Sequence, residues 1–329
     1  MAVREIVPGV FSVGAIDWSR RLFDSLIPLP DGTSYNAYLV KGTEKTVLID
    51  AVDPSKEMDL MTNLARSGLE NIDYIVVNHT EQDHAGSVPM LLELFPNAKV
   101  LASEKAKELL ISLLEVPGDR IQVVKEGETV SLGGKTLRFF ITPWVHWPDT
   151  MLTYLEEDRI LFSCDLFGAH LATSDLFVGD RCQYYHSAKR YYAEIMMPFR
   201  TSIAGYLEKL KAVDIAMIAP SHGPIHKDPA FILDAYRDWV SPAVKNEVVI
   251  AYVSMHGSTE KMVGYLTDAL ISRGVTVKPF EITKSDVGDI AMSLVDAATV
   301  IIGAPTVLFG AHPHAVFVTY LANLLKPKT

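Results

Sequence analysis

Along the first three quarters of the chain, short apolar runs alternate with longer stretches that have helical spacing. The short runs are rich in β-branched and aromatic residues and are bounded by turn residues, so each predicts a strand. The predicted strands are 10–13, 35–40, 46–50, 72–77, 99–102, 121–124, 135–142, 151–155, 159–163 and 214–219. The predicted helices are 56–66, 87–95, 105–114, 188–210 and one that starts near Pro229. Two strand-rich halves, each with helices, predict a sandwich with sheets inside and helices outside.

The pattern restarts after Ser241-Pro242, which is expected to end the preceding helix. Strands are then predicted at 247–253, 275–281 and 299–304, with helices at 260–273, around 290–296 and at 314–325. This alternation of strands and helices is typical of a parallel, doubly wound sheet. We therefore predict an α/β protein of two domains, residues 1–244 and 245–329, in keeping with a length of 329 residues.

Composition narrows the class of protein without fixing its function. Hydrophobic residues make up 49% of the chain and charged residues 21%, as in soluble globular proteins. A formal net charge of -10 with no basic face argues against non-specific nucleic-acid binding. Two cysteines, Cys164 and Cys182, form neither a disulfide framework nor a thiolate cluster. Residues 1–8 lack a signal-peptide pattern and no apolar run is long enough to span a bilayer, so we expect a cytoplasmic protein.

Four possible metal ligands lie within six residues, directly after the predicted strand 72–77. They are the two imidazoles and two carboxylates of His79, Glu81, Asp83 and His84. Side chains packed so closely would repel each other or compete for protons unless a cation holds them. The end of a strand is also where α/β proteins usually build their sites. A solvated polar turn is the alternative, but it does not account for four ligands in one loop, so we predict a metal site.

Three further residues follow apolar strands in the same way. His146 follows the predicted strand 135–142, Asp165 follows 159–163, and His222 follows 214–219. Any one of them alone is more simply interpreted as structural, but three repeats of one context favour metal ligation. Neighbouring parallel strands would bring these side chains to one edge of the sandwich.

This spacing resembles the metallo-β-lactamase superfamily, whose αβ/βα sandwich holds a two-metal site at that edge. In zinc hydrolases of the superfamily the loop reads H-x-H-x-D-H, whereas Glu81 stands here in place of the second histidine. Mixed imidazole and carboxylate ligands suit iron in a redox role better than zinc. Because a flavodoxin-like pattern follows, the chain resembles the flavodiiron proteins, or A-type flavoproteins. Further stretches that match this family are 15–18, 35–39, 146–149 and 191–193.

The resemblance implies a diiron centre with a defined set of ligands. One iron would be held by His79, Glu81 and His146, and the other by Asp83, His84 and His222. Asp165 would bridge the two irons. Members of the family differ in whether the imidazole at the position of His84 reaches the metal.

A second set of residues would supply protons or orient the metal ligands, because a metal-bound histidine needs an acceptor for its other N–H. These candidates are Asp17, His170, Tyr191 and Tyr192. Ordinary packing or surface roles are the alternative for each of them. His226, His312 and His314 have no matching strand end and are not predicted as ligands, and Cys164 is expected to be a core thiol.

The loop 254–259, between the first strand and first helix of the second domain, is expected to bind a phosphate. It combines hydroxyls, a glycine and the N–H groups of a helix start, which suits a monophosphate without a lysine. Its residues are Ser254, Met255, His256, Gly257, Ser258 and Thr259. By the resemblance the ligand is FMN, with Pro305 and Thr306 in a ring-binding loop. The family usually has Trp or Tyr at His256 and an asparagine in the loop that is 307–310 here.

Three strands are predicted in the second domain, whereas a flavodoxin-like sheet has five in the order 2-1-3-4-5. We therefore expect a flavodoxin-like, doubly wound parallel sheet that is C-terminally truncated and has an exposed apolar edge at its third strand. An incomplete sequence is the interpretation that we favour. A partner chain over the edge and weakened FMN binding are the alternatives.

The resemblance implies an oxidoreductase that reduces O2 to water, NO to N2O, or both, with electrons passing through FMN to the diiron centre. It implies a head-to-tail homodimer or homotetramer, without nucleic-acid or membrane partners. The sequence has no rubredoxin-type cysteine pairs, so the electron donor would be a separate rubredoxin, a flavin reductase or a reduced deazaflavin. The alternatives are a two-metal zinc hydrolase with a metal-bound hydroxide as nucleophile, and a non-catalytic flavin- or metal-binding module.

Overall fold

The computed structural model of the protein describes residues 3–328. Its strands are β1 (Arg4–Val7), β2 (Val10–Ser12), β3 (Ala15–Asp17), β4 (Leu22–Phe23), β5 (Ile27–Pro28), β6 (Thr33–Tyr35), β7 (Tyr38–Lys41), β8 (Thr46–Ile49), β9 (Tyr74–Val77), β10 (Lys99–Ala102), β11 (Ile121–Val123), β12 (Thr129–Ser131), β13 (Thr136–Ile141), β14 (Met151–Leu155), β15 (Ile160–Cys164), β16 (Met217–Pro220), β17 (Lys245–Tyr252), β18 (Thr276–Glu281), β19 (Ala297–Gly303), β20 (Thr306–Val307) and β21 (Gly310–Ala311). Its α-helices are α1 (Glu57–Arg66), α2 (Gln82–Ala85), α3 (Val88–Leu94), α4 (Glu104–Leu114), α5 (Arg181–Tyr191), α6 (Arg200–Leu210), α7 (Pro229–Val240), α8 (Ser258–Ile271), α9 (Val287–Leu294) and α10 (Pro313–Leu325). Residues 1, 2 and 329, which fall within the predicted domain ranges, lie outside the described residues.

Two sheets form the body of the first part of the chain. The first has seven strands in the order β1-β2-β7-β8-β9-β10-β11, with β8 to β11 parallel. The second has five strands in the order β12-β13-β14-β15-β16, antiparallel except for the parallel pair β15 and β16. Val47 and Ile49 of the first sheet share one apolar cluster with Phe139 and Phe162 of the second. The two sheets therefore pack face to face.

Helices cover the outer faces of both sheets. Leu48, which alternates with the inward-facing residues of β8, packs outward in a cluster with Leu60 of α1 and Leu91 of α3. On the other side, Leu161 of β15 lies in a cluster with side chains of α5, α6 and α7, such as Tyr236. The predicted sandwich with sheets inside and helices outside is thus the arrangement that the structure has.

A third sheet begins at Lys245 and has three parallel strands in the order β18-β17-β19. Val263 of α8 packs on one face with Ile250, and Ile290 of α9 packs on the other with Ala251 and Val253. Helices on both faces make this sheet doubly wound, as predicted. Within residues 3–328, β19 is an edge strand, and none of the helices has the length and apolar character of a membrane span.

The stretch 188–210 differs from its prediction as one helical segment. The structure divides it into the end of α5, a wide turn at residues 192–196 in which the Met197 N–H bonds Tyr192 O, a short 3-10 turn and then α6. Pro198 lies in the 3-10 turn, and because proline lacks an N–H it does not continue a helical ladder. The short strands β1, β3 to β6 and β12 and the helix α2 are further elements that the sequence pattern did not predict.

Candidate metal centre

Four loops meet at one edge of the sandwich. Residues 79–84 follow β9, Asp165 directly follows β15, His222 lies just beyond β16, and His146 comes from the loop between β13 and β14. The structure brings together all the side chains that the sequence predicts as metal ligands, in two close groups. The first group is His79, Glu81, His146 and Asp165, and the second is Asp83, His84 and His222.

Glu81 lies at the centre of the first group. Its Oε2 atom is 3.1 Å from His79 Nε2 and 3.2 Å from His146 Nε2. The same two nitrogens lie 3.8 Å and 3.4 Å from Asp165 Oδ2. His79 is fully buried, whereas Glu81 and His146 are partly exposed, so this group lies nearest to solvent.

The second group is arranged around Asp83 and is buried. Asp83 Oδ1 lies 3.3 Å from His84 Nε2, and Asp83 Oδ2 lies 3.2 Å from His222 Nε2. Asp83 and His84 both lie in α2. This short helix turns the chain so that the two neighbouring side chains converge. His222 reaches them from the second sheet.

Asp165 connects the two groups through its two oxygen atoms. Oδ2 faces the first group, while Oδ1 lies 3.1 Å from His84 Nε2 and 3.3 Å from His222 Nε2. The turn that carries it contains two non-glycine residues in the left-handed region, Cys164 with φ 51° and Phe167 with φ 73°. Such strained backbone persists only where its surroundings hold it, and Tyr184 OH donates a hydrogen bond of 2.7 Å to Phe167 O.

Residues behind the ligands fix their orientation. Asp149 Oδ2 lies 3.2 Å from His79 Nδ1 and accepts hydrogen bonds of 2.8 Å from the Thr80 N–H and hydroxyl. The backbone oxygen of Ser34 lies 2.7 Å from His222 Nδ1. In His79 and His222, Nδ1 therefore has a hydrogen-bond partner and Nε2 faces the site, as in metal-bound imidazoles.

Sequence reasoning did not assign these supporting roles. Asp149 lies in the stretch 146–149, which resembles the family, but one carboxylate three residues after a histidine does not indicate which imidazole it faces. Its partner is His79, seventy positions away in sequence. Ser34 acts through its backbone oxygen, which leaves no signal in the residue type.

The charges of the site shift the pKa values of its members. Burial lowers the pKa of each histidine, but the carboxylates outweigh it and raise the pKa of His146 to about 9 and that of His222 to about 10. Burial raises the pKa of Asp165, yet His84 and His146 hold it well below its usual range. Carboxylates that retain protons on imidazoles also attract metal cations, so a metal that binds here has to displace those protons.

The buried polar atoms of the site fit a metal. Both carboxylate oxygens of Asp83, Nε2 of His84 and Oδ2 of Asp165 have no partner in hydrogen-bond geometry among the described residues, although all are buried. Atoms of this kind are costly unless something pairs with them. Cys164 lies near this site with Asp50 and His84, and burial raises the pKa of its thiol well above the ordinary value. The remaining imidazole and carboxylate donors suit iron.

The predicted proton donors and orienting residues divide into two pairs. Tyr191 OH donates a 2.9 Å hydrogen bond to Asp165 Oδ1. His170 lies beside it, with ring centroids 4.8 Å from those of Tyr191 and His222, and its Nδ1 is 2.9 Å from Thr33 Oγ1. Tyr192 instead donates to Trp239 O in the helical layer, and Asp17 accepts from the N–H groups of Ser19 and Arg20.

A cavity of about 360 Å³ opens beside the first group. Glu81, Asp83 and Trp147 form the wall nearest the ligands, and Arg20, Phe23 and Leu113 are among the residues that line the outer part. Access from solvent to the site therefore runs past Glu81.

The predicted phosphate loop lies at the start of α8. Ser254 Oγ accepts hydrogen bonds from the N–H groups of Gly257 at 3.2 Å and Glu260 at 3.3 Å. Gly257 has φ 81°, a conformation that favours glycine, and it leads directly into α8. Pro305 and Thr306 follow β19, so the two predicted flavin loops lie at the carboxyl ends of adjacent strands, β17 and β19.

Comparison with known proteins gives a consistent result along most of the chain. A family model described as ODP family beta lactamase matches residues 33–223. A nitric oxide reductase of Moorella thermoacetica is 41% identical over 310 residues, which are 92% of this chain and 77% of the relative.

Two solved structures have nearly the same fold. The rubredoxin oxygen:oxidoreductase of Desulfovibrio gigas matches with a TM-score of 0.95 and 34% identity, over 99% of this chain and 83% of that one. The flavodiiron protein of Giardia intestinalis matches with a TM-score of 0.94 and 31% identity, over 99% of this chain and 80% of that one. The similarity therefore includes both the sandwich and the three-stranded sheet.

Proposed function

Because the chain belongs to the flavodiiron protein family, we propose that it is an oxidoreductase that reduces O2 to water, NO to N2O, or both. The names of the relatives support both substrates, since one is a nitric oxide reductase and another an oxygen oxidoreductase. The observation that carries the proposal is Asp165, whose two oxygens face two separate groups of metal-binding side chains.

The proposed centre holds two iron ions. His79, Glu81 and His146 would bind one, Asp83, His84 and His222 would bind the other, and Asp165 would bridge them. The unpaired buried atoms of Asp83, His84 and Asp165 support this assignment. The position of His84 Nε2, which faces both Asp83 and Asp165, supports including His84 in the set. When bound, the iron pair would supply the electrons that reduce the gas.

The protein side chains would orient the ligands and manage protons. Asp149 accepts from His79 and thereby holds Nε2 of that histidine towards the site. Tyr191 holds a proton on its phenol next to Asp165 Oδ1, and burial and the charge of Asp165 keep its pKa well above the ordinary value. The ring of His170 packs against that of Tyr191 with centroids 4.8 Å apart, and His170 is the proposed further proton carrier. A phenol with a raised pKa keeps its proton, so the proposed role of Tyr191 is to orient Asp165 through this hydrogen bond.

FMN is the proposed second cofactor, held by Ser254, Gly257 and the other residues of the loop 254–259, with Pro305 and Thr306 near its ring. The N–H groups at the start of α8 and the glycine at φ 81° support a phosphate there. The name of the Desulfovibrio gigas relative supports a rubredoxin as the electron donor. We also propose a head-to-tail homodimer or homotetramer, in which FMN of one subunit faces the cavity beside Glu81 of another.

The proposed domains are residues 1–244 and 245–329. The end of α7 at Val240 and the start of the third sheet at Lys245 support this division. The strand order β18-β17-β19 corresponds to the 2-1-3 part of a flavodoxin-like sheet. The three relatives described above extend beyond their matched parts, because the chain covers 77%, 83% and 80% of their lengths.

Metal analysis combined with gas consumption tests the proposal. Purified protein should contain iron without zinc, and prereduced protein mixed anaerobically with O2 or NO in a stopped-flow instrument should be reoxidised. Rates with each gas would establish the preferred substrate. Zinc together with hydrolysis of a lactam or thioester, or iron without any reoxidation, would contradict the proposed function.

A further inference from the structure

The last three residues of α5 contact two different parts of the molecule. Lys189 Nζ lies 2.5 Å from Asp296, and Arg190 contacts Asp286 and Asp289, all of which belong to the layer around the third sheet. The next residue, Tyr191, donates its hydrogen bond to Asp165 between the two ligand groups. One turn of helix therefore links the third sheet to the metal centre.

Arg190 makes the most extensive of these contacts. It is 7% exposed, and its Nη1 atom lies 3.0 Å from Asp289 Oδ1 while Nη2 contacts Asp286 Oδ1. Its Nε atom lies 3.2 Å from Glu194 Oε1, so every nitrogen of the guanidinium has an acidic neighbour. Asp286 also caps α9 by accepting from the Gly288 N–H at 2.7 Å. Arg190 thus binds the start of α9 through the same carboxylate that begins this helix.

Gly288 shows how closely the two parts approach. A Cβ atom at this position would clash with Glu194 Oε1 and with Nη2 and Cζ of Arg190. The backbone of α9 therefore lies directly against the Arg190 guanidinium, and glycine is the residue that permits this contact. Apolar packing continues around it, because Tyr192 and Met196 share one cluster with Ala291 and Leu294 of α9.

Tyr191 connects α5 to the site through its side chain. Its side chain is 2% exposed, and its ring lies against His170 and His222 with centroids 4.8 Å and 5.9 Å away. The phenol is the part of the side chain farthest from the helix axis, so a small rotation of α5 moves it most. Asp165 Oδ1 accepts from this phenol and also faces His84 and His222.

We propose that Arg190 is a positioning residue for the metal centre: by binding α9 it sets the rotation of α5, and so places the Tyr191 phenol on the bridging carboxylate of Asp165. This inference rests on the proposed function, because it assumes that Asp165 binds iron. By this proposal, the packing of the third sheet against the sandwich affects the environment of the iron pair.

Mössbauer spectroscopy of the iron-loaded holoenzyme tests this coupling, since FMN does not contribute to the spectrum. Tyr191→Phe removes the hydrogen bond to Asp165 and should change the quadrupole splitting of the iron pair. Arg190→Met keeps an apolar stem of similar length and should shift the splitting in the same direction. In the double variant the shift should be no larger than in Tyr191→Phe, because Arg190 acts through Tyr191.

A matched control is Arg181→Met on the same helix, whose guanidinium lies 2.8 Å from Asp228 at the surface. This variant should keep the wild-type spectrum. If Arg190→Met does not fold, Asp289→Asn removes one contact of the same guanidinium from a half-exposed position, and Gly288→Ala separates α9 from it. These variants should shift the splitting in the direction of Tyr191→Phe.

The outcomes separate the inference from the proposed function. Folded variants of Arg190, Asp289 or Gly288 with the wild-type spectrum would overturn the inference while leaving the diiron centre intact. The inference would also be overturned if the shifts in quadrupole splitting of Arg190→Met and Tyr191→Phe add in the double variant, because the two residues would then act independently. Wild-type protein that binds no iron would overturn the proposed centre and this inference with it.

Discussion

Two regions of the molecule place proposed cofactor loops at the carboxyl ends of strands, but they hold those loops differently. At the sandwich edge, β14 and β15 are buried along their whole length, and Asp165 and His222 are 1% and 2% exposed. In the third sheet, β19 is largely accessible, and the loop residues Leu308 and Phe309 are 90% and 106% exposed. Within the described residues, the ligands of the first site therefore lie in a packed interior, whereas the residues that follow β19 are exposed.

The two proposed ligands require different atoms of the protein. A metal ion needs several side-chain atoms at fixed distances, so each ligand depends on a buried neighbour such as Asp149 or the Ser34 backbone. A phosphate can be bound by backbone N–H groups whose directions the helix itself supplies. The comparison predicts that changes at the sandwich edge have large effects and that changes in the phosphate loop have small, local ones.

Removal of a metal ligand should have the largest effect. Glu81→Ala deletes the carboxylate that lies between His79 and His146, so we expect the protein to lose one iron. Gas reduction should fall by more than about 100-fold, which exceeds the effect of removing a residue that only supports a ligand. Iron analysis, circular dichroism and gas consumption measure these changes. Glu93→Ala on the exposed face of α3 is the control. Unchanged iron content in Glu81→Ala would refute the ligand assignment.

Removal of a supporting residue should have the next largest effect. Asp149→Asn keeps the size of the side chain but removes the charge that faces His79, so metal affinity should fall by roughly 10–100-fold. Competition with a chelator measures the affinity. Asp158→Asn, which breaks the contact of Asp158 with Lys135 away from the site, should leave it unchanged. Equal affinities in the two variants would show that Asp149 does not support the site.

The contact between the two regions should give stability a pH dependence. Burial raises the pKa of Glu194 from 4.5 to about 8, although Arg190 opposes the shift. At pH values between 4.5 and about 8, the native state therefore retains a proton that the unfolded chain has lost. The free energy of unfolding should then fall as pH rises through this window. The expected slope is roughly 1.4 kcal/mol per pH unit.

Denaturant unfolding at several pH values measures this slope. Glu194→Gln carries no titrating proton, so its stability should be less dependent on pH in the window from about 4.5 to about 8. The groups that face Glu194 are Arg190, Asp286 and Asp289, and they are unchanged in this variant. A slope equal to that of the wild type would assign the pH dependence to another group.

The smallest effect is expected in the phosphate loop. Ser254→Ala removes the acceptor for the N–H groups of Gly257 and Glu260, a loss typical of a helix cap at about 0.5–2 kcal/mol. FMN affinity should fall about fivefold if that loss is about 1 kcal/mol, while iron content stays the same. Flavin fluorescence titration measures the change, and Ser272→Ala at the end of α8 is the control. Loss of iron in Ser254→Ala would contradict the separation of the two sites.

Local patterns predicted the longer elements well. β10 and β14 span the residues predicted for them, 99–102 and 151–155, because apolar runs bounded by turn residues mark both ends. The short strands β3 to β6 were missed because pairing of two or three residues depends on the partner strand rather than on periodicity. The break between α5 and α6 was missed because apolar spacing continues through Pro198.

The sequence by itself determined which residues are available as metal ligands, because imidazoles and carboxylates that follow apolar strands are a local signal. The family resemblance implied how they divide into two groups with Asp165 between them, and the distances of the tertiary structure bring together positions as far apart as Asp83 and His222 in that arrangement. The tertiary structure decided the roles of Asp149, Ser34 and Arg190, whose partners lie on other elements. Residue type fixes the chemistry of a side chain, but only the packing of distant strands and helices fixes what that side chain faces.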